Sequence, residues 1–313
     1  MLNIKSANIL VTGGAGTLGY ALARRRHKEG WNGKYTVYST DAHKHEKMRR
    51  EFPDIQFIQG DIRNADTLYN AMVGHDLCVH GAAVKIIPVS EVNSIDTYDI
   101  NVSGSQCVCA TALRAGIEHV VGVSTDKAAH PANAYGASKM LMEKTFQEYS
   151  RQGFTTQYHL VRLGNVLESN GSVIEAWKKT LAWGEKINIT NAGMTRFWLS
   201  PNYAAEYVEE SLTFPSGGIY IPKLKSLSIG KLAEYTVGEE ALQSAQYVPV
   251  RPGEKIHECL LTEEEGWYVM DNLSYFLLRP NVTQRNKVPS LAYTSDMAEE
   301  LTREELDALL AGG

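Results

Sequence analysis

The sequence predicts an α/β protein built on a doubly wound parallel sheet, followed by a smaller mixed α/β lobe. Three observations point to this class. Short apolar runs alternate with segments of helical periodicity, a glycine-rich stretch follows the first apolar run, and the regular rhythm ends after Val166. Strands that alternate with helices need crossover connections, and these produce a parallel sheet covered by helices on both faces.

The individual elements follow in chain order. Predicted strands lie at residues 8–14, 35–39, 55–61, 76–83, 119–125 and 156–166, and predicted helices at 17–30, 65–74, 94–116 and 134–153. Beyond them we expect a short strand at 217–223, a helix at 228–237 and a loose stretch at about 281–290. A last helix at 302–311 opens with Thr302 and Glu305 in the spacing of a capping box. We therefore divide the chain into a sheet domain at 1–166 and a second lobe with a C-terminal tail at 167–313, and we expect the two to be interleaved.

Composition excludes several classes of protein. The 313 residues are 43% hydrophobic and 21% charged, with a net charge of −5, which argues against broad binding to nucleic acid or membrane surfaces. No apolar run approaches the ~20 residues that span a bilayer, and the N-terminus enters a strand without a signal-peptide pattern. The four cysteines are too scattered for a disulfide framework or a zinc site. We expect a cytoplasmic enzyme without a metal site.

The glycine-rich stretch TGGAGTLG occupies residues 12–19, between the first predicted strand and the first predicted helix. Glycines in such a turn allow a tight bend and a close approach of the backbone to a pyrophosphate, while the helix N-terminus offers unpaired N–H groups. The stretch predicts a Rossmann-type dinucleotide site at 1–166. Its cofactor-binding residues are Gly13, Ala15, Gly16, Thr17, Leu18 and Gly19.

The end of the second strand bears on the choice of cofactor. An acid at this position binds the ribose 2′-OH of NAD, whereas cationic groups accommodate the 2′-phosphate of NADP. Here Ser39 and Thr40 stand at the strand end, followed by Asp41 and then Lys44. Hydroxyls with a nearby cation favour NADP, and Asp41 leaves NAD as the alternative. We expect the histidines of this stretch on a solvated helix face and not as metal ligands.

Further cofactor positions follow from the topology of the predicted sheet. Asp61 and Ile62, after the third strand, would reach the adenine, and the small residues after the fourth strand would let the dinucleotide lie across the sheet edge. Lys85 would point toward the cleft, with an exposed loop lysine as the alternative. The positions added in this way are Asp61, Ile62, Ala82, Ala83, Lys85 and Val166.

Tyr135 and Lys139 stand four residues apart at the start of a predicted helix. A tyrosine has a pKa near 10 and is a poor base at neutral pH. A lysine one helical turn away, together with a positive nicotinamide, would lower that pKa, and the lysine would also bind the nicotinamide ribose. Tyr135 would then take a proton from a substrate hydroxyl held by Thr125.

Taken together, the motifs resemble the extended short-chain dehydrogenase/reductase family, and within it the bacterial UDP-N-acetylglucosamine 4,6-dehydratases, including the enzymes that invert C5. The resemblance covers nearly the whole chain, through TGGAG, YSTD, GDIRN, HGAAVKIIPVSE, STDKAAHPANAYGASK, RLGNVLESNGSV, MTRFW, IYIPK and RPGEKIHE. Two departures stand out. The family usually has an arginine on the 2′-phosphate where Thr40 stands, and Ser-Phe where Thr17 and Leu18 stand.

The resemblance implies a reaction on a UDP-sugar. Tyr135 would take the proton of O4, Lys127 the proton of C5, and Asp126 would protonate the leaving C6 hydroxyl. Asn165, Thr190, Arg251 and Lys85 would bind the nucleotide sugar, with Arg251 on the pyrophosphate or, alternatively, paired with Glu254 or Glu258. A homo-oligomer is also implied.

Three alternatives to this activity remain at the level of sequence. They are a nucleotide-sugar 4-epimerase, a dehydratase that stops at a 5,6-ene, and a non-catalytic NADP-binding sensor. A sensor has no need of Thr125, Tyr135 and Lys139, and a simple epimerase has no need of the adjacent acid and amine at Asp126 and Lys127.

Overall fold

The computed structural model describes residues 2–167, 169, 172–279, 285–286 and 289–312. Within them the strands are β1 (Ile9–Thr12), β2 (Tyr35–Ser39), β3 (Gln56–Gln59), β4 (Leu77–His80), β5 (His119–Thr125), β6 (Gln157–Leu163), β7 (Asn165–Val166), β8 (Asn188–Ile189), β9 (Thr195–Leu199), β10 (Ile219–Pro222), β11 (Ser226–Ser228), β12 (Gln246–Tyr247), β13 (Cys259–Leu261), β14 (Val269–Asp271), β15 (Tyr275–Leu278) and β16 (Tyr293–Thr294). The helices are α1 (Thr17–Glu29), α2 (Ala42–Glu51), α3 (Ala65–Met72), α4 (Ile87–Val92), α5 (Ser94–Tyr98), α6 (Gly104–Ala115), α7 (Ala134–Arg151), α8 (Val173–Ala182), α9 (Pro201–Ser211), α10 (Ile229–Val237), α11 (Glu239–Gln243), α12 (Glu263–Gly266) and α13 (Arg303–Ala311). None of these helices is both long and apolar enough to cross a bilayer.

A nine-stranded sheet forms the centre of the molecule. Its order is β14-β15-β10-β6-β5-β4-β1-β2-β3. The strands from β3 across to β10 are parallel to one another, and β15 pairs antiparallel with β10 and β14. The order 3-2-1-4-5-6 within it is that of dinucleotide-binding sheets, which bind ligands where the order reverses, outside the carboxyl ends of the strands. Every residue of β1 and β4 is buried, as expected for strands covered by helices on both faces. The predicted Rossmann-like fold is confirmed.

The predicted helix at 94–116 forms with an interruption. A π-helical turn, Asp99–Ser103, separates α5 from α6 and brings the buried Asn101 side chain to the loop after β4. There its amide accepts from the backbone N–H of Val84 at 2.8 Å and donates to the carbonyl of Val84 at 2.9 Å and to the Ser138 hydroxyl at 2.9 Å. The turn thus fixes the loop that follows β4 against α7. Apolar periodicity does not report such a one-residue insertion.

The predicted strand at 156–166 is divided at Gly164. A Cβ on Gly164 would lie 2.6 Å from the Cβ of Phe197, so only glycine allows β9 to approach this point. Beyond it, β7 leaves the main sheet and pairs with β9 in a three-stranded sheet of order β11-β9-β7. This change of partner carries the chain into the second lobe.

The second lobe has its own apolar core. Leu167, Trp177, Trp198, Leu232 and Leu306 are among its buried members, and α8, α10 and α13 contribute to it. The mixed α/β lobe and the capping box at Thr302 and Glu305 are therefore confirmed. Because β10, β14 and β15 return to the main sheet, the boundary at residue 166 stays a prediction. Most of the predicted loose stretch at 281–290, and part of the motif RLGNVLESNGSV, lie outside the described residues.

Arg162 on β6 connects three parts of the fold. Its guanidinium is only 2% exposed and donates to both carboxylate oxygens of Glu143 on α7, at 2.9 and 2.8 Å. It also donates to both oxygens of Glu265 on α12, each at 2.7 Å, and to the carbonyl of Leu260 at 2.9 Å. The sheet, the helix that carries Tyr135 and the C-terminal segment are thus joined through one buried cation.

Arg162→Leu is expected to lower the free energy of unfolding by about 3–5 kcal/mol, because two carboxylates then lose their buried partner. Urea denaturation at pH 7 measures the change. The matched control is Lys179→Gln, which breaks the exposed pair with Glu175 and should cost below about 1 kcal/mol. Equal losses in the two variants would show that the buried cluster has no special role.

Candidate functional site: a dinucleotide cleft beside a buried acid–base cluster

The glycine-rich turn between β1 and α1 has the shape that a pyrophosphate requires. Gly13 has φ +65°, and a Cβ there would lie 2.8 Å from the backbone of Ala82 beyond β4. A Cβ on Gly19 would overlap the carbonyl oxygen of Gly14. Gly16 precedes α1 and places no side-chain cap on its N–H groups, and the first turn contains no acid. These open amides fit the phosphates of a dinucleotide, with Ala15, Thr17 and Leu18 on the same turn.

At the end of β2, the acid Asp41 is engaged in capping the helix that follows. The Asp41 carboxylate caps α2 by accepting from the backbone N–H of Lys44 at 3.0 Å, and the Lys44 Nζ lies 2.9 Å from its other oxygen. These hydrogen bonds hold the pKa of Asp41 below its usual value. Ser39 shares a hydrogen bond of 2.7 Å with His45, while Thr40 is exposed. The expectation of a solvated histidine face is wrong for His45, which is buried.

The remaining predicted cofactor positions differ in their availability. The Asp61 carboxylate is paired with Arg63 at 2.6 Å, and the Ile62 side chain is buried against Gly104. Lys85 follows the small residues Ala82 and Ala83, and Val166 lies in β7. Lys85 is exposed, as in the alternative of a loop lysine, and desolvation by nearby atoms together with the charge of Lys44 lowers its pKa. Two lysines from different elements therefore repel one another, and a bound anion would relieve this repulsion.

An acid and an amine lie together just beyond the end of β5. The Thr125 hydroxyl donates to Asp126 Oδ1 at 2.8 Å, and the Lys127 Nζ donates to the same oxygen at 3.0 Å. Asp126 is completely buried, and its Oδ2 has no hydrogen-bond partner in the described part of the chain. Burial raises the pKa of Asp126 in spite of the adjacent lysine. Protonation of this carboxyl is therefore easier than that of an exposed aspartate, which favours its use as an acid.

Lys127 is held by three acceptors. Besides Asp126, its Nζ donates to Asn165 Oδ1 at 3.3 Å and lies 3.3 Å from Glu258 Oε1. Burial by itself would lower the pKa of Lys127, but the charges of Asp126 and Glu258 raise it well above its usual value. In this arrangement the side chain is an ammonium. A base needs the opposite shift.

Tyr135 and Lys139 approach this cluster from α7. The helix begins after Asn133, whose side chain accepts from the N–H of Gly136 at 2.8 Å. Any side chain at Gly136 would overlap the carbonyl of Lys127, so this glycine allows the helix to pack directly on the Asp126–Ala128 turn. Burial raises the pKa of Tyr135 to about 12, opposed by the charge of Lys127 and a hydrogen bond with Thr125.

Lys139 is buried one helical turn further on. Its Nζ donates to the sulfur of Met142 at 2.9 Å, and burial lowers its pKa to about 8. The electrostatic support of Tyr135 by Lys139 stays a prediction, and in the structure the charge of Lys127 also lowers the pKa of this phenol. Lys139 is a buried amine beside the dinucleotide cleft.

Sequence reasoning missed two members of the cluster. Glu258 was considered only as a partner of Arg251, but its carboxylate lies 3.3 Å from Lys127, 3.7 Å from Arg196 and 3.9 Å from Lys255. Arg196 on β9 donates to the carbonyls of Lys255 and Ile256 at 2.9 and 3.1 Å and so fixes this segment over the cluster. RPGEKIHE marked the segment as notable, but no spacing along the chain indicates that it reaches β5.

Two predicted substrate residues lie apart from the cluster in this structure. The Thr190 hydroxyl donates to the sulfur of Met194 at 3.4 Å. The Arg251 side chain is exposed, and its backbone N–H donates to Glu254 at 3.3 Å. Asn165, in contrast, is joined to Lys127. The structure thus brings Thr125, Asp126, Lys127, Tyr135 and Asn165 together, and their roles remain predictions.

A nucleotide-binding sheet with a tyrosine–lysine helix beside Thr125 defines a short-chain dehydrogenase/reductase. The sequence model of the family described as "Polysaccharide biosynthesis protein" matches residues 9–279. The inverting UDP-N-acetylglucosamine 4,6-dehydratase of Campylobacter jejuni is 32% identical over 281 residues, which cover 88% of this chain and 83% of the relative. The UDP-glucose 4-epimerase of Rickettsia conorii is 31% identical and covers 96% of this chain and 94% of its own. The X-ray structure of Pen from Bacillus thuringiensis is 28% identical with a TM-score of 0.90, covering 100% of this chain and 99% of that chain.

The chain therefore belongs to the polysaccharide biosynthesis protein family, within the extended short-chain dehydrogenases/reductases. Both curated relatives are nucleotide-sugar enzymes by name, one a dehydratase and one an epimerase. The family resemblance in the motifs is confirmed.

Lys139→Met is expected to raise the free energy of unfolding at pH 7 by about 2–4 kcal/mol, since it removes a charged amine from a buried site. The folded pKa of about 8 lies below the ordinary lysine value of 10.5. Below pH 8 both states are protonated and the folded state bears the full cost of burial. Between the two values the unfolded chain binds more protons, so wild-type stability rises with pH and the advantage of the variant disappears.

Urea denaturation at a series of pH values from 7 to above 10 measures this effect. Lys144→Met makes the same change at an exposed position of α7 and should give a difference from wild type that does not vary with pH. A Lys139→Met difference that is equally independent of pH would contradict the assignment of a depressed lysine pKa.

Proposed function

We propose that the protein is a UDP-N-acetylglucosamine 4,6-dehydratase that inverts C5 and uses NADP. The observation that carries the proposal is the buried cluster of Asp126, Lys127 and Glu258 beside Tyr135 and Thr125. Redox chemistry at C4 needs only a hydroxyl base and a hydride acceptor. Removal of water across C5 and C6 needs an additional acid and base, and the cluster provides both kinds of group.

The groups of the site divide the reaction between them. Tyr135 takes the proton of O4, with Thr125 holding that oxygen, and the resulting C4 ketone acidifies the C5 proton. Lys127 removes this proton, and Asp126 protonates O6 so that it leaves as water. A bound nicotinamide dinucleotide would accept the C4 hydride and return it to C6. A proton returned to the opposite face of C5 then gives the 4-keto-6-deoxy sugar in the L-arabino configuration.

The direction of one pKa shift supports one of these assignments. Asp126 has a raised pKa, as an acid requires. Lys127 is an ammonium in the described arrangement, so it acts as a base only after it has lost a proton. Tyr135, with a pKa raised to about 12, similarly needs a nearby positive charge when it accepts its proton. The Lys127 ammonium supplies part of that charge, and an oxidised nicotinamide bound in the cleft would add to it.

A UDP-sugar 4-epimerase is the second candidate. It is favoured by the Rickettsia conorii relative, which covers more of the chain than the dehydratase does at nearly the same identity. An epimerase oxidises and reduces C4 and leaves C5 and C6 unchanged, so it has no use for Asp126 and Lys127. Assembly as a homo-oligomer and a cytoplasmic location remain predictions that accompany either activity.

Incubation with UDP-N-acetylglucosamine and NADP in deuterated water, followed by NMR of the product, tests the proposed reaction. We expect a C6 methyl group, one deuterium at C5 and the L-arabino configuration. Retention of the D-xylo configuration would overturn inversion alone. A product that keeps its C6 hydroxyl and is changed only at C4 would establish the epimerase instead.

Tyr135→Phe is expected to lower the turnover rate by about 10²–10⁴-fold, because it deletes only the proton acceptor. Binding of the nucleotide sugar, measured by calorimetry, should be nearly intact. Tyr149→Phe removes the same hydroxyl further along α7 and serves as the matched control, with turnover within a few-fold of wild type. A Tyr135→Phe enzyme as active as this control would exclude the tyrosine as the base.

Calorimetric titration with NADP and NAD is expected to show tighter binding of NADP. The reason is that Asp41 is engaged as a helix cap and is not free for a ribose diol, while Lys44 lies beside it. Lys44→Gln should weaken NADP binding by about tenfold or more and affect NAD less. Lys47→Gln, an exposed neighbour on α2, is the control. Tighter binding of NAD by the wild type would reverse the cofactor assignment.

A further inference from the structure

The segment that ends at Glu258 lies directly over the proposed C5 base. Lys255 donates from its Nζ to the carbonyl of Ala129 at 3.0 Å, and Asn133 donates to the carbonyl of Gly253 at 2.8 Å. Arg196 holds the same segment from β9. Contacts with three separate elements therefore fix the backbone that carries the Glu258 carboxylate, so this side chain is not a free surface group.

The Glu258 carboxylate completes the coordination of the Lys127 amine. An ammonium has three N–H donors, and the Lys127 Nζ has three oxygen acceptors, namely Asp126 Oδ1, Asn165 Oδ1 and Glu258 Oε1. Glu258 is only 3% exposed, and its Oε2 has no hydrogen-bond partner among the described residues. The three acceptors stabilise the amine as an ammonium. An ammonium nitrogen has no lone pair with which to accept a substrate proton.

We propose that Glu258 is a positioning residue that holds Lys127 as an ammonium and thereby controls when this side chain becomes a base. The inference rests on the proposed dehydratase reaction. Glu258 touches neither the sugar nor the cofactor in this argument and acts through Lys127. Its role differs from that of Asp126, whose Oδ1 accepts from the Thr125 hydroxyl and whose carboxyl supplies the proton for the leaving hydroxyl.

Charged and titratable groups from several elements surround the Lys127 amine. Asp126 and Glu258 stabilise the ammonium, Arg196 opposes it, and Lys255 and Arg196 partly neutralise Glu258. Tyr135 faces Lys127 from α7. Removing the Glu258 charge leaves Asp126 against Arg196, so the neutral amine becomes available at lower pH.

Glu258→Gln tests this control, because it removes the charge and keeps the size and one acceptor oxygen. The rising limb of the pH profile of kcat should move by about one pH unit or more toward lower pH, with KM within a few-fold of wild type. Glu254→Gln makes the same change in the same segment without contacting Lys127 and should leave the limb in place. Glu258→Asp, which retains the charge, should return the limb toward the wild-type position.

A measurement that does not require catalytic turnover tests the role of Glu258 independently of the proposed function. In the NADP-bound protein with ¹⁵N-labelled lysine, the Lys127 NH₃⁺ signal, assigned with Lys127→Met, reports how fast its protons exchange with water. Loss of a charged acceptor should accelerate this exchange by about tenfold or more in Glu258→Gln and leave it unchanged in Glu254→Gln.

The possible outcomes are distinct. Accelerated exchange in Glu258→Gln, in a protein that does not dehydrate the sugar, would overturn the proposed function. It would still support the role of Glu258 in holding Lys127 as an ammonium. Dehydration with identical exchange and identical pH limbs in wild type and Glu258→Gln would overturn the role of Glu258. If Glu258→Gln does not fold, the wild type decides by itself, since a Lys127 NH₃⁺ signal that exchanges as fast as that of the exposed Lys144 would also overturn it.

Discussion

The buried guanidinium of Arg162 couples three parts of the fold. Arg162 lies in the central sheet and binds Glu143 of α7 and Glu265 of the C-terminal segment through paired hydrogen bonds. A buried charge of this kind is tolerated only when its donors are satisfied. The positions of α7 and of the C-terminal segment relative to β6 are therefore coupled. The consequence for function is geometric, because α7 carries Tyr135 and the C-terminal segment leads back to Glu258.

Much of this architecture could be predicted from the sequence. The parallel sheet followed from apolar runs alternating with helical segments, and the turn after β1 from glycines whose replacement would clash with Ala82 or Gly14. These features are local, and residue type determines them directly. The π-turn at Asp99–Ser103 and the division of the strand at Gly164 were not foreseen. Both arise from contacts between distant parts of the chain, Asn101 with Val84 and Gly164 with Phe197.

Part of the candidate site could likewise be predicted from the sequence, and part of it only the structure reveals. Thr125, Asp126, Lys127 and Tyr135 lie within eleven positions of one another, and a strand, a tight turn and a helix bring them together. Glu258 and Arg196 reach the cluster from far along the chain, and only the folded structure reveals their contacts with it. Charge was harder to predict than position. Nothing along the chain indicates that Glu258 joins Asp126 beside the Lys127 Nζ, where their charges raise the pKa of the amine.

In the proposed reaction, Asp126 and Lys127 act in a step that follows oxidation of C4. Stopped-flow absorbance of the reduced nicotinamide, in the Asp126→Asn variant mixed with UDP-N-acetylglucosamine, tests this order of steps. We expect C4 to be oxidised and the reduced cofactor to accumulate, since the hydride cannot return to C6 while O6 has no acid to protonate it. Steady turnover to the 6-deoxy product without such accumulation would show that Asp126 is not the acid of this step.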